Sequence, residues 1–305
     1  MRFIPVSLIA LATVSAPAFA AARSAAQPHE PSLRSQAALV LDQDSGVVLL
    51  GKNAESPLPI ASLTKLMTAI VTLDADLDPY EPVTIAREDV DKLRRSPSRL
   101  KVGATLTRDE LLHLALMASE NRAASALGRS YPGGKDAIVL AMNLKAQLLG
   151  LSGTRFNDAT GLSAGNISTA HDLARLVRAA HDYAKIREYS TSAAYQVRVG
   201  RRTMRFGNTN LLVRNTRWDI GLSKTGYLSE AGRCLVMQAT LAGRSVIIVL
   251  LDSWGKYTRV ADAMRIRQWL EFAIGRSGMQ RPALSPITDN ERGLTPAQAV
   301  RARPA

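Results

Sequence analysis

At 305 residues and 46% hydrophobic content, the chain holds enough apolar material for one large core or two smaller ones, so disorder is not its default. A single cysteine, Cys234, excludes an intrachain disulfide and a cysteine-rich metal site, and reads as a small buried hydrophobe. The formal net charge of +13 permits attraction to an anionic polymer, but the basic residues are scattered and aromatics make up only 5%, which argues against nucleic acid and leaves an anionic cell envelope or a merely soluble basic surface.

The chain opens with Met1-Arg2, an apolar stretch from Ile4 to Ala16, and the small residues of Ala18-Phe19-Ala20. This is the pattern of an export signal over residues 1–20, with cleavage leaving Ala21 first. The stretch falls short of the roughly 20 apolar residues of a membrane span, and later apolar runs at Ala69-Leu73 and Ser245-Leu251 are shorter still. The expectation is a periplasmic protein with no stable membrane anchor once the signal is cut. Residues 21–35, rich in Ala, Pro and Ser, read as a flexible lead-in to a catalytic domain over residues 36–276.

Two apolar runs, Ala37-Leu41 and Val47-Leu50, flank Asp42-Gln43-Asp44-Ser45-Gly46 and predict an antiparallel hairpin. Pro57 and Pro59 stop regular structure. From Ser62 onward, Leu63, Leu66, Met67, Ile70, Val71 and Leu73 predict a helix apolar on most faces, in which Lys65 is out of place. Thr84 to Thr107 is polar and irregular, and is expected to cover one side of the helical region. Thr107 with Glu110 forms a capping-box pattern ahead of the next helix. Further helices are predicted at about Asn121 to Gly128 and Asp136 to Leu149, the latter stopped by Gly150, and another follows the capping-box pattern Thr169 to Asp172.

Strands return at Leu211-Val213, Ile220-Lys224, Arg233-Leu241 and Ser245-Leu251, the last two facing each other across Ala242-Gly243. A closing amphipathic helix is predicted from Lys256 to Ile274, and residues 277–305 read as a loose tail. Strands at both ends with helices between them imply one interwoven α+β unit.

Ser62 and Lys65 are three residues apart at a helix start, so a hydroxyl and an amine share one face. Serine needs a neighbouring base to act as a nucleophile, and lysine serves only if burial or nearby positive charge lowers its pKa. Alone the pair is weak, because Ser98 and Lys101 share its spacing and Ser62 could simply cap the helix. Two companions change the balance. Ser119-Glu120-Asn121 interrupts the helices with a second hydroxyl and a carboxamide, and Lys224-Thr225-Gly226 ends a strand where a cation and a hydroxyl could bind a carboxylate.

Ser62-x-x-Lys65, Ser119-x-Asn121 and Lys224-Thr225-Gly226, in that order, resemble the signatures of the penicillin-recognising serine enzymes. Pro59 to Ala69, Leu116 to Ala124 and Phe156-Asn157-Asp158-Ala159-Thr160-Gly161-Leu162 narrow the likeness to the low-molecular-mass D-alanyl-D-alanine carboxypeptidase and endopeptidase family, over about Ala37 to Ile274. Tyr131-Pro132-Gly133-Gly134 and Asp252-x-x-Gly255-Lys256-Tyr257 bring it nearest the endopeptidase branch.

The resemblance implies a β-lactamase/transpeptidase-like fold, a five-stranded antiparallel sheet flanked by helices. It implies Ser62 as acyl-ester nucleophile, Lys65 as general base, Ser119 as proton relay and Asn121 as holder of Lys65 and the substrate amide. Lys224, Thr225 and Gly226 would bind substrate, and the backbone N–H groups of Ser62 and Tyr227 would form the oxyanion hole. It implies peptidoglycan stem peptides and crosslinks as substrates, β-lactams as covalent inhibitors, and neither metal nor other cofactor.

Carboxypeptidases of the family commonly append a β-rich domain and an anchoring helix, and the roughly 30 residues after Ile274 suggest neither, which favours an endopeptidase. A carboxypeptidase is the alternative. A β-lactamase is disfavoured because no glutamate can be nominated to activate water, and a noncatalytic peptidoglycan-binding protein because the site is intact. Gly133-Gly134-Lys135 lacks the rest of a P-loop, and His113, His171 and His181 lack metalloprotease spacing. Asn208 to Leu212 fits either a cleft border or a structural turn.

Overall fold

The computed structural model describes residues 30–276. The expected signal, most of the lead-in and the tail lie outside the described residues. The chain runs β1 (Ser35–Asp42), β2 (Val48–Lys52), β3 (Leu58–Pro59), a 3-10 turn (Ala61–Thr64), α1 (Lys65–Asp74), β4 (Pro82–Thr84), a 3-10 turn (Arg87–Asp89), β5 (Thr105–Thr107), α2 (Arg108–Met117), α3 (Asn121–Arg129) and α4 (Gly134–Leu148). It continues through β6 (Ile167–Ser168), α5 (Ala170–His181), α6 (Ala184–Thr191), β7 (Ala194–Val199), β8 (Arg202–Gly207), a 3-10 turn (Leu211–Arg214), β9 (Asp219–Leu228), β10 (Gly232–Leu241), β11 (Arg244–Ser253) and α7 (Thr258–Arg276).

The main sheet has the order β2-β1-β11-β10-β9, antiparallel throughout. An N-terminal hairpin therefore joins a C-terminal meander through the β1–β11 pairing, and the helices form the excursion between them. Side chains alternate across the sheet with period two. On β10, Cys234 and Val236 enter the core shared with the helical part, whereas Leu235, Met237 and Ala239 enter a second core with Ala263, Ile266 and Leu270 of α7. The sheet is thus a middle layer with helices on both faces, the α+β architecture the sequence implied.

Local chemistry explains the element ends. The Ala242-Gly243 turn places both residues in left-handed backbone (φ 49° and 75°), as a two-residue hairpin requires. Thr107 Oγ1 accepts from the Glu110 N–H at 3.1 Å while the Glu110 carboxylate accepts from the Thr107 N–H at 2.8 Å, completing the predicted capping box. At Thr169 only half of the predicted box forms. Its hydroxyl accepts from the Asp172 N–H, but the Asp172 carboxylate instead accepts from the Gly153 N–H and the Thr154 hydroxyl.

The strand predicted at Leu211-Val213 is a 3-10 turn. Asn208 Oδ1 accepts from the Asn210 N–H and Asn210 Oδ1 from the Leu212 N–H, and such local side-chain bonds curl the backbone that an apolar triplet would otherwise extend. The β7–β8 hairpin and α6 had no sequence prediction. The proximal boundary at residue 36 also shifts: Leu33 is already buried, and the Ser35 N–H and hydroxyl both donate to Asp262 at 2.7 Å.

Candidate active site

The central helix α1 explains why a lysine can be lowered into the core. Every residue from Lys65 to Thr72 is buried, so the amine has almost no water to solvate it, and Lys65 is 1% exposed. Ser62 lies one turn earlier in the 3-10 segment, held from behind by buried Ala61, Leu63 and Thr64. Ala61, just before it, has φ 48°, a left-handed conformation for a residue with a side chain, and Ser119 has φ 56°. Both serines of the site are therefore presented by backbone that the surrounding fold must hold in place.

Lys65 Nζ stands 2.8 Å from Ser62 Oγ, 2.8 Å from Asn121 Oδ1 and 2.6 Å from the Thr160 carbonyl. Two of these partners can only accept. A neutral amine has two protons and one lone pair, so it fits the trio by donating to Asn121 and Thr160 and accepting from the Ser62 hydroxyl. Burial pushes Lys65 down to about 7, against the opposing pull of the Asp158 and Glu120 carboxylates. Near neutrality the amine can therefore shed its proton, and the lone pair so exposed is left to the Ser62 hydroxyl.

The Thr160 carbonyl is aimed by Asp158. One oxygen of that carboxylate accepts from the Thr160 N–H, the Thr160 hydroxyl and the Gly161 N–H, the other from the Ser163 N–H and Asn166 Nδ2. Burial would raise the Asp158 carboxyl, but these donors outweigh it and hold it below the usual range. The short β3–β6 pairing and the Ile60 N–H to Asn166 carbonyl bond at 3.0 Å fasten this loop beside the Ser62 turn. Gly161 completes the fit: with φ 79°, an added Cβ would stand 2.0 Å from the Ala61 carbonyl oxygen and 2.9 Å from the Ser62 nitrogen.

From the other side comes β9, the edge strand of the sheet. A Cβ on Gly226 would lie 2.9 Å from the Ile60 carbonyl oxygen and 3.2 Å from the Ser62 nitrogen, so glycine here lets the strand edge meet the Ser62 turn. Lys224 is 1% exposed, and its amine donates to Ser119 Oγ at 2.8 Å and to the Thr225 carbonyl at 2.9 Å. Burial lowers it well below its ordinary value, helped by the positive charges of Lys65 and Arg259. Thr225 Oγ1 donates to Thr209 Oγ1 at 2.7 Å, and the Thr209 N–H donates to the Met117 carbonyl at the end of α2. The 208–212 segment is thus both a turn and a neighbour of the site.

The structure brings Ser62, Lys65, Ser119, Asn121, Lys224, Thr225 and Gly226 together. The decoy pair does not form: Ser98 lies in a loop, where its hydroxyl accepts from the Leu100 N–H, and Lys101 is exposed. Thr160 enters the sequence reading only within the Phe156 to Leu162 likeness and without a role, because what it contributes is a carbonyl, which carries no residue-type signal. Sequence reasoning missed Arg259, which reaches from the first turn of α7 to donate to the Gly226 carbonyl at 3.0 Å. Tyr227 is exposed at the strand edge with the Arg233 guanidinium 4.4 Å from its ring centroid.

The chain is similar to several known proteins. The sequence pattern of the D-alanyl-D-alanine carboxypeptidase family matches residues 24–255. The chain is 46% identical over 279 residues to the D-alanyl-D-alanine endopeptidase of Pseudomonas aeruginosa, covering 90% of each chain. It is 40% identical over 273 residues to the D-alanyl-D-alanine endopeptidase of Escherichia coli, covering 87% of this chain and 88% of that one. Among solved structures, the Streptomyces K15 DD-transpeptidase superposes with a TM-score of 0.74 at 30% identity, over 80% of this chain and 99% of that one.

Proposed function

Since the chain belongs to the D-alanyl-D-alanine carboxypeptidase family, we propose that it is a serine endopeptidase that hydrolyses D-alanyl-diaminoacid crosslinks of peptidoglycan through an acyl-enzyme. The observation that carries the chemistry is the buried Lys65 amine, whose two acceptor partners leave its lone pair to the Ser62 hydroxyl. The two endopeptidase relatives support the choice of bond.

Ser62 Oγ attacks the carbonyl carbon of the D-alanyl residue as its proton passes to Lys65 Nζ. The backbone N–H groups of Ser62 and Tyr227 take the developing oxyanion, a role supported by the close approach of Gly226 to the Ser62 turn. The C–N bond then breaks as Ser119 gives its proton to the leaving amine of the neighbouring stem peptide and is itself reprotonated with the proton Lys65 took from Ser62, which leaves Lys65 neutral again. Lys224 and Thr225 anchor the substrate; an incoming carboxylate favours the charged form of Lys224, offsetting its desolvation. Water finally cleaves the ester and frees Ser62. The export signal read in residues 1–20 supports action in the periplasm, and no helix among the described residues is long and apolar enough to cross a membrane.

Purified protein lacking residues 1–20, incubated with crosslinked muropeptide dimers and with pentapeptide monomers, should convert dimers to monomers, read by chromatography and mass spectrometry. Loss of terminal alanine alone would make it a carboxypeptidase, the activity for which its family is named. Unchanged substrates and no covalent penicillin would leave a noncatalytic wall-binding protein.

The fit of Gly161 against the nucleophile's backbone gives a sharper local test. Gly161→Ala forces the Ser62 turn to move, and displacement of reacting atoms by about 1 Å costs on the order of a hundredfold. The rate of acylation by a fluorescent penicillin should fall by about that factor. A change within twofold would show that the 157–163 loop does not position Ser62.

A further inference from the structure

We propose that Ser96, itself held by Asp91, is a positioning residue that decides which way the Asn121 carboxamide points and so keeps the Lys65 lone pair free for Ser62. This rests on the reading of Lys65 as the base. Asp91 shapes the loop that carries Ser96. Its Oδ1 accepts from the backbone N–H groups of Leu93 and Arg94, each at 2.9 Å, and its Oδ2 accepts from the Ser96 N–H at 2.9 Å and the Ser96 hydroxyl at 2.7 Å. Burial would raise this carboxyl, but the donors from Arg94, Ser96 and Leu93 prevail and hold it ionised.

An ionised carboxylate only accepts, so the Ser96 hydroxyl proton is committed to it and the remaining lone pairs of Ser96 Oγ must accept. Asn121 Nδ2 donates to that oxygen at 2.9 Å. The direction of each proton therefore fixes the next, and Asn121 is left with Oδ1 facing Lys65. Pro97 follows Ser96 and confines it to extended backbone. The loop is tied across the cleft, with Arg94 Nε donating to the Leu162 carbonyl and its guanidinium paired at 2.7 Å with Glu230 in the β9–β10 turn.

The two ends of a carboxamide are nearly the same size, so shape alone does not choose between them. The hydrogen-bond partners choose instead, on the wall of a cavity of about 610 Å³ that Asn121 lines with Asp91, Asp158 and Thr160. Reversed, Nδ2 would face Lys65. It would donate into the neutral amine's lone pair, the one that must receive the Ser62 proton, or be repelled by the ammonium.

Ser96→Ala tests this, because it keeps every backbone bond to Asp91. Acylation by a fluorescent penicillin at pH 7 should slow about tenfold, the weight of one ordinary hydrogen bond. The acid limb of its pH profile should move to lower pH, since the ammonium loses the Asn121 carbonyl that stabilises it. Ser96→Thr, which restores a hydroxyl, should recover most of both. The charged groups facing Lys65 and its neighbour Lys224, namely Asp158, Glu120 and Arg259, are untouched in either variant. An unchanged rate and limb in Ser96→Ala, or a loss that Ser96→Thr does not recover, would overturn the proposal. A parent protein that takes up no penicillin would sink the hydrolase reading instead.

Discussion

Ser62→Ala should take up no covalent penicillin while remaining folded. The loss is complete because, among the described residues, the Lys65 amine is hydrogen-bonded to no hydroxyl other than that of Ser62. Ser119 is the nearest candidate, but its oxygen faces Lys224, which also donates to the Thr225 carbonyl. The fold should survive because Lys65 keeps Asn121 and Thr160 as acceptors, so the lost hydroxyl costs about 1 kcal/mol. Gel fluorescence after labelling, with a thermal unfolding curve on the same sample, separates the two effects. A labelled band from folded Ser62→Ala would mean that the nucleophile lies elsewhere.

What the sequence made legible follows from how each group acts. Ser62, Lys65, Ser119 and Asn121 enter the proposed mechanism through side chains at element boundaries, where hydrophobic periodicity breaks, and Lys224 through a charged side chain inside the apolar strand β9, so their types and order could be read together. Thr160 offers a carbonyl whose aim is set by Asp158, two residues earlier in an irregular loop, and only the folded loop shows it. Ser96 and Arg259 are brought in from a polar loop and a distant helix by long-range pairing, which no local pattern encodes. The same physics governs the fold. The β10–β11 hairpin carries two continuous apolar runs, as strands buried on both faces do, joined by a tight turn, whereas the 208–214 segment looked extended because its apolar triplet is visible and the bonds of Asn208 and Asn210 to their own backbone are not. The β7–β8 hairpin is half-exposed, so its pattern is weak.

Lys65→Met keeps the stem of the side chain and removes the base, and it should slow penicillin acylation about a thousandfold, within the range that a positioned general base supplies. In the parent, the rate should fall about tenfold per pH unit below about 7, where Lys65 gains its proton, and that limb should vanish in the variant. Stability supplies an independent check with a definite sign. The native amine titrates at about 7 and the unfolded one near 10.5, so between these values the unfolded chain binds the extra proton and the parent gains stability as pH rises. Below about 7 both states are charged, and the penalty is complete at about 5 kcal/mol by linkage. Methionine carries no such penalty, but it leaves Asn121 Oδ1 and the Thr160 carbonyl without their donor, so the absolute difference in unfolding free energy mixes two terms. Its pH dependence does not. Relative to the parent, Lys65→Met should be most favoured at pH 6 and should lose that advantage steadily toward pH 10.5. Parallel stability curves across that range would mean that Lys65 keeps its proton in the folded protein and cannot be the base.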